Sequence, residues 1–412
     1  MAVPAPAASP EGHRELPTVL VATLFVRFSF GLTVAVFASY LSGRSTGLDL
    51  GQVGVVGLVS ATAPIGEFTT VVLSGILADA YGRFRVLLGG MLLATVAMAL
   101  VATTRDPARL GALNLLFGVA SGAILAPSLA VVGDRAAAVA RGYEMGRFDA
   151  MNLLGWVLGF AVGFGLLGSI PNGLLDSVFL LGATVLGGGL AIASLTVGFR
   201  SEPTRPTRFV LEQIGQAVLR RDVLLVVLPW VVIYMLIGTA FVFLGAASSS
   251  IGLPVVYLAA IIGGGGLVLL ATQPFFGRLS DRFGRMRLMG VGAGGFVVLL
   301  IVAALLANLG PQPPLLVAAG VSAVFALGYG PAALAALADV SRTITRATTM
   351  AVYTLAISLG MLLGLFASTA LFNALGVVGL DVFFGGVAAA LLALTLARFA
   401  DVRRRRPEAA MV

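Results

Sequence analysis

GILADAYGRFR, residues 75–85, returns as GRLSDRFGRMR at residues 277–287, about half of the 412-residue chain further on. The copies share six of eleven positions, Gly75/Gly277, Leu77/Leu279, Asp79/Asp281, Gly82/Gly284, Arg83/Arg285 and Arg85/Arg287, at a constant offset of 202. Each copy closes one long apolar run and opens the next. A short charged turn at the same place in two apolar halves points to a duplicated membrane unit. A second repeat, at an offset of 205, matches Asp134, Arg141, Met145, Gly155 and Gly159 with Asp339, Arg346, Met350, Gly360 and Gly364.

Composition agrees with a chain that lives in lipid. Apolar residues make up 59% and charged residues 11%, roughly half the charged share of a soluble protein, and the mean hydropathy is +1.04. The net charge of +8 does not imply nucleic acid, because the arginines are scattered over short turns and form no single basic face. Cysteine is absent, which excludes disulfides and thiolate chemistry, and the one histidine, His13, sits in a Pro/Ala-rich tail. There is no lysine, so no Gly-x-x-x-x-Gly-Lys phosphate loop exists. Catalysis, a metal centre and a cofactor are therefore not expected. The first apolar run contains Arg27 and outlasts a signal-peptide core.

A spanning helix needs about 20 mostly apolar residues. Twelve such spans are expected, at 17–41, 51–78, 86–104, 110–132, 143–168, 177–199, 222–248, 253–276, 287–308, 314–338, 347–373 and 380–399. Helices are expected rather than a barrel because the runs are continuously apolar. The turns after spans 2, 4, 8 and 10 hold Arg83, Arg85, Arg135, Arg141, Arg278, Arg282, Arg285, Arg342 and Arg346; the opposite turns hold only Arg44, Arg105 and Arg109. That asymmetry predicts cytoplasmic termini in a cell (inner or plasma) membrane. The domain reading is an N-terminal tail (1–16), a six-helix bundle (17–200), a linker with a short amphipathic helix (201–221), a second bundle (222–400) and a basic tail (401–412) carrying Arg403, Arg404, Arg405 and Arg406.

With these motifs in view, the chain resembles the major facilitator superfamily. Residues 75–85 and 277–287 look like its Gly-x-Leu-x-Asp-x-x-Gly-Arg-x-Arg loop, and the Asp134/Arg141 and Asp339/Arg346 turns look like its loops after helices 4 and 10. The resemblance covers the whole chain and implies an all-α polytopic fold, two pseudo-symmetric six-helix bundles, and a central cavity lined by helices 1, 4, 7 and 10. On that implication Arg27, Asn114, Tyr234 and Tyr329 are substrate-cavity candidates. Two features depart from the family's proton-coupled exporters. Asn114 stands where an Arg is frequent in helix 4, and helix 5 reads GWVLGFAVG with no Gly-Pro pair.

Two groups of residues are candidates for function. At the loop motifs, Gly75, Gly82, Gly277 and Gly284 permit close helix approach and tight turns. Asp79 is expected to pair with Arg135 or Arg141, or to cap helix 3, with Asp134, Asp281, Asp339, Arg83, Arg285 and Arg346 completing a latch between the halves; setting topology is their alternative role. Inside the membrane lie Arg27, Glu67 and Asp149, with Arg147 nearer the surface. Such charges cost at least ~2.5–3.5 kcal/mol each near the midplane. They imply an ion-coupling cluster or a fixed Arg27–Glu67 packing pair. The second half has almost no midplane charge and is expected to offer a mostly apolar substrate wall. The GxGxxG at Gly290, Gly292 and Gly295 follows no strand, which argues against a dinucleotide site.

The expected function is secondary transport of a small molecule by alternating access, in a lipid bilayer, by a monomer. Proton-coupled export of small amphipathic compounds leads. Proton-coupled uptake or exchange of an organic anion, with Arg27 as counter-charge, is the alternative, and a transport-dead sensor or membrane enzyme a remote one.

Overall fold

The computed structural model describes residues 12–42, 53–167, 169–171, 174–197, 220–250, 266–310, 312–340 and 346–409. The regular elements among them are all helical: α1 (Gly12–Ser42), α2 (Val53–Tyr81), α3 (Arg83–Val101), α4 (Pro107–Arg135), α5 (Arg141–Leu167), α6 (Leu175–Thr196), α7 (Arg221–Ser250), α8 (Gly266–Ala271), α9 (Gln273–Phe283), α10 (Arg285–Leu309), α11 (Pro313–Leu327), α12 (Tyr329–Val340), α13 (Arg346–Leu375) and α14 (Val377–Ala409). A short 3₁₀ turn, Ala138–Ala140, precedes α5. Among the described residues ten spans are long and apolar enough to cross a bilayer, and α7 holds a shorter apolar stretch, Val223–Thr239. The eighth expected crossing falls partly on residues 251–265, outside the described residues, as does most of the linker, 201–219.

Four boundaries stand out against the sequence reading. Span 10 is two helices, α11 and α12, separated at Gly328; Pro331 has no N–H for the Leu327 carbonyl, so the ladder is interrupted there. Pro274 does the same beside Thr272, between α8 and α9. At the ends, α1 already begins at Gly12 and α14 runs on to Ala409. The expected tails 1–16 and 401–412 are thus partly helical, because arginine is a good helix former and Pro407 arrives only in the final turn.

The two halves pack alike. α1 lies against α5 and α6, and α3 against α4 and α6; in the second half α7 lies against α13 and α14, and α10 against α11 and α14. The halves meet through α2 and α4 against α13, and through α5 against α9 and α12. Outward-facing residues such as Leu316, Val317, Leu392 and Leu396 remain exposed, as a lipid-facing surface requires. The close crossings rest on small residues: a Cβ on Gly155 would lie 2.6 Å from the Arg27 Cβ. The glycines of the GxGxxG serve the same end, since Cβ atoms on Gly292 and Gly295 would meet the backbone of Tyr329 and Ala326.

Gly82 and Gly284 stand immediately before α3 and α10 with φ of 103° and 93°. That region is nearly closed to residues with a Cβ. Gly82→Ala and Gly284→Ala should each destabilise the protein by about 1–3 kcal/mol, visible as a lower melting temperature of the purified protein in detergent.

Candidate functional site

Arg27, Glu67 and Asp149 come together in the middle of the molecule, exposed by only 1%, 2% and 2%. α1 brings Arg27, α2 Glu67 and α5 Asp149. The guanidinium faces the carboxylate two-pronged: Nη1 donates to Glu67 Oε2 at 3.4 Å and Nη2 to Oε1 at 3.5 Å. Its Nε donates to Asn152 Oδ1 at 2.9 Å, one helical turn beyond Asp149. The cation also lies 5.5 Å from the Trp156 ring centre and 6.0 Å from Phe30, where ring faces favour positive charge. A buried ion pair survives desolvation only when its remaining polar atoms are also satisfied; Asn152 and the two rings supply that for Arg27.

The second half answers with hydroxyls. Ser358 Oγ, on α13, donates to Glu67 Oε1 at 3.1 Å. Tyr353, on the same helix, donates to Asp149 Oδ1 at 3.4 Å and lies 3.3 Å from the Tyr234 hydroxyl. Trp230 anchors this wall, its ring centre 5.0 Å from Tyr353, 5.4 Å from Tyr329 and 5.5 Å from Tyr234. α12 approaches through Gly330, where a Cβ would strike Asp149 Oδ2. Of the cavity candidates, Arg27 and Tyr234 are therefore in or beside the cluster. Tyr329 turns its hydroxyl to the Val226 carbonyl at 3.4 Å, so it serves packing. Asn114 donates to the Val59 carbonyl at 2.9 Å and to Thr62 Oγ1 at 3.2 Å. It lines a small cleft with Thr33, Phe37, Ser60, Phe117 and Phe30, the last shared with the Arg27 site.

The loop motifs form a clamp at the arginine-rich end, in a different pairing from the one expected. Asp79 binds neither Arg135 nor Arg141 and does not cap α3. It accepts from the backbone N–H groups of Ala347 and Thr348, at 3.2 and 2.9 Å, and from Thr348 Oγ1 at 2.9 Å, capping α13 of the other half. Asp281 accepts from the N–H groups of Gly142 and Tyr143 at 2.9 and 3.0 Å, capping α5. Free N–H groups and the helix dipole attract a carboxylate to such ends. Gly75 and Gly277 allow the approach: a Cβ on Gly75 would lie 2.9 Å from the Ala347 carbonyl, and one on Gly277 would strike the Gly142 carbonyl.

Swapped ion pairs complete the clamp. Arg141 meets Asp339 at 2.6 Å, and Arg346 meets Asp134 together with the Gly133 carbonyl. Within each half Arg83 pairs with Asp134, and Arg285 with Asp281 and Asp339. Arg135 instead binds Glu15 at 2.6 Å, because it projects toward α1 rather than toward the other half. Arg147 pairs with Glu144, one turn back. The sequence reading missed Asn152, Trp230 and the cap at Thr348. Asn152 alone carried a signal, an amide three residues beyond Asp149 on an otherwise apolar face.

The sequence profile of the Major Facilitator Superfamily matches residues 19–270 and 231–411. The fold is similar to the crystal structure of the human organic anion transporter MFSD10 (TETRAN), with a TM-score of 0.76 and 17% identity over 94% of this chain and 99% of that one. Among curated proteins, none matches the sequence significantly.

The cysteine-free chain allows the clamp to be tested by labelling. Ala130 is fully buried against Ala78 and Ala347. In an A130C background, Arg141→Ala combined with Arg346→Ala should speed maleimide labelling roughly tenfold, equivalent to about 1.4 kcal/mol in the opening equilibrium.

Proposed function

The chain belongs to the Major Facilitator Superfamily, and on that premise we propose that it exports small amphipathic compounds in exchange for protons. Membership makes it a multi-pass transporter rather than an enzyme; the coupling ion, the direction and the substrate class are our reading. In that reading the arginine-rich end and both termini face the cytoplasm, the protein works as a monomer, and residues 17–200 and 222–400 rock as units about the central cluster.

The observation that carries the proposal is the sealed Arg27–Glu67 pair, contacted across the interface by Ser358. A proton arriving on Glu67 removes the anion and leaves a buried guanidinium without its counter-charge. That state is costly in a dry site and is relieved when the cavity opens to water. Protonation therefore favours one arrangement of the halves over the other, which is the requirement for coupling. The aromatic walls, Phe30 and Trp156 on one side and Trp230, Tyr234 and Tyr353 on the other, favour a substrate with an apolar face over a sugar, which needs many hydrogen-bond partners.

A second reading is uptake or exchange of an organic anion. It is supported by the central cation, Arg27, whose carboxylate partner a substrate anion could displace.

Two substitutions separate the readings in sealed liposomes that report internal pH and substrate uptake. For the export reading, Glu67→Gln abolishes proton movement linked to substrate while substrate still binds. For the anion reading, Arg27→Ala abolishes binding itself. Because Arg27→Ala also strands a buried carboxylate at a cost of about 3–5 kcal/mol, the Arg27→Ala/Glu67→Gln double variant should recover folding and is the fair measure of binding.

A further inference from the structure

We propose that Ser358 and Tyr353 are positioning residues through which α13 senses the charge on Glu67 and Asp149 and passes it to the clamp; the inference rests on the proton-coupled reading above. Ser358 Oγ has one hydrogen and two acceptors at the same distance, Glu67 Oε1 and the Thr354 carbonyl, both at 3.1 Å. An ionised carboxylate is the stronger acceptor, by roughly a factor of two. Ser358 therefore reaches across the interface while Glu67 is charged, and turns back into its own helix once Glu67 is neutral.

Tyr353 stands in a similar position. Its hydroxyl lies between Asp149 Oδ1 at 3.4 Å and the Tyr234 hydroxyl at 3.3 Å. With Asp149 charged, the chain of donors runs from Tyr234 through Tyr353 to the carboxylate. With Asp149 protonated, the carboxyl group becomes a donor and the chain can reverse toward Tyr234. Both hydroxyls sit on one continuous helix. The N-terminal turn of that helix is held by Asp79, through Ala347 and Thr348, and by the Arg346–Asp134 pair. Ser358 is ten residues beyond Thr348, about 15 Å of helix. A shift of α13 at the carboxylates therefore moves the very turn that closes the arginine-rich end.

The charged and titratable neighbours are few. Glu67 faces Arg27 from α1, and both act electrostatically on Tyr234 of α7, as does Asp149. α4, packed against α2, carries ionisable side chains only at its ends, Arg109, Asp134 and Arg135. Asp149 faces Tyr353 from α13 and Asn152 from its own helix. From α9 and α12 the charged groups, Arg278, Asp281, Arg282 and Asp339, lie toward the clamp, and α8 has none. On α13 itself the titratable residues are Arg346 and Tyr353. No competing charge on α13 reads the carboxylates.

The test uses the full chain in lipid nanodiscs with spin labels at R85C and R287C, exposed positions on opposite halves outside the clamp pairs. The distance between the labels is followed against pH, with the proton flux of the same proteins measured in liposomes. Removing a donor to a carboxylate favours its neutral form, so Ser358→Ala and Tyr353→Phe should each move the pH midpoint of opening upward, by about one unit. Ser358→Thr, which restores the hydroxyl, should return the parent midpoint. A parent that couples protons and opens with pH, but whose midpoint neither Ser358→Ala nor Tyr353→Phe moves, overturns this inference alone. A parent with no pH response and no proton flux overturns the inference together with the coupled-transport reading.

Discussion

A guanidinium and a carboxylate sealed among apolar helices cannot be separated cheaply, and the centre of this protein is arranged around that constraint. Arg27 and Glu67 come from different helices, so their pairing fixes α1 against α2. Asn152 and the rings of Trp156 and Phe30 then place α5. Desolvation makes the pair a poor source of net stability, while losing either partner is severe. A group with those properties is suited to switching: it tolerates one closed arrangement and demands another once its charge changes.

The arginine-rich end solves a different problem with the same materials. Here the carboxylates run from the buried Asp79 to the half-exposed Asp339, and two of them take helix ends as partners. Asp79 on α2 holds the start of α13, and Asp281 on α9 holds the start of α5. Duplication makes the two contacts equivalent, and the arginines cross over, Arg141 to Asp339 and Arg346 to Asp134. Each half thus supplies an acid that grips the other half's helix and a base that meets the other half's acid. Such contacts are strong together and replaceable by water one at a time, which fits a joint that must open.

Between centre and clamp the halves are unlike. The first contributes the charges, the second hydroxyls and an indole. Symmetric closure at one end is thereby combined with asymmetric chemistry in the middle, and α13 is the element common to both.

The sequence by itself determined the class of fold. Continuous apolar runs, arginine-bearing turns and two repeats at offsets of 202 and 205 identify a duplicated bundle of membrane helices, because lipid penalises every unpaired backbone group and every stray charge. It also marked Arg27, Glu67 and Asp149, since ionisable groups in such runs are rare. What only the tertiary structure decided is which groups meet. Asp79 could have reached Arg135, Arg141 or the start of the next helix; it caps α13 instead, because Gly75 lets the two halves touch there and the helix start presents free N–H groups. Ser358 gave no sign that it would meet Glu67, and Tyr329 looked like a cavity group although its hydroxyl is taken by a backbone carbonyl. Periodicity tells which face of a helix is apolar; the partner across an interface depends on the crossing of helices hundreds of residues apart, and no local pattern records that.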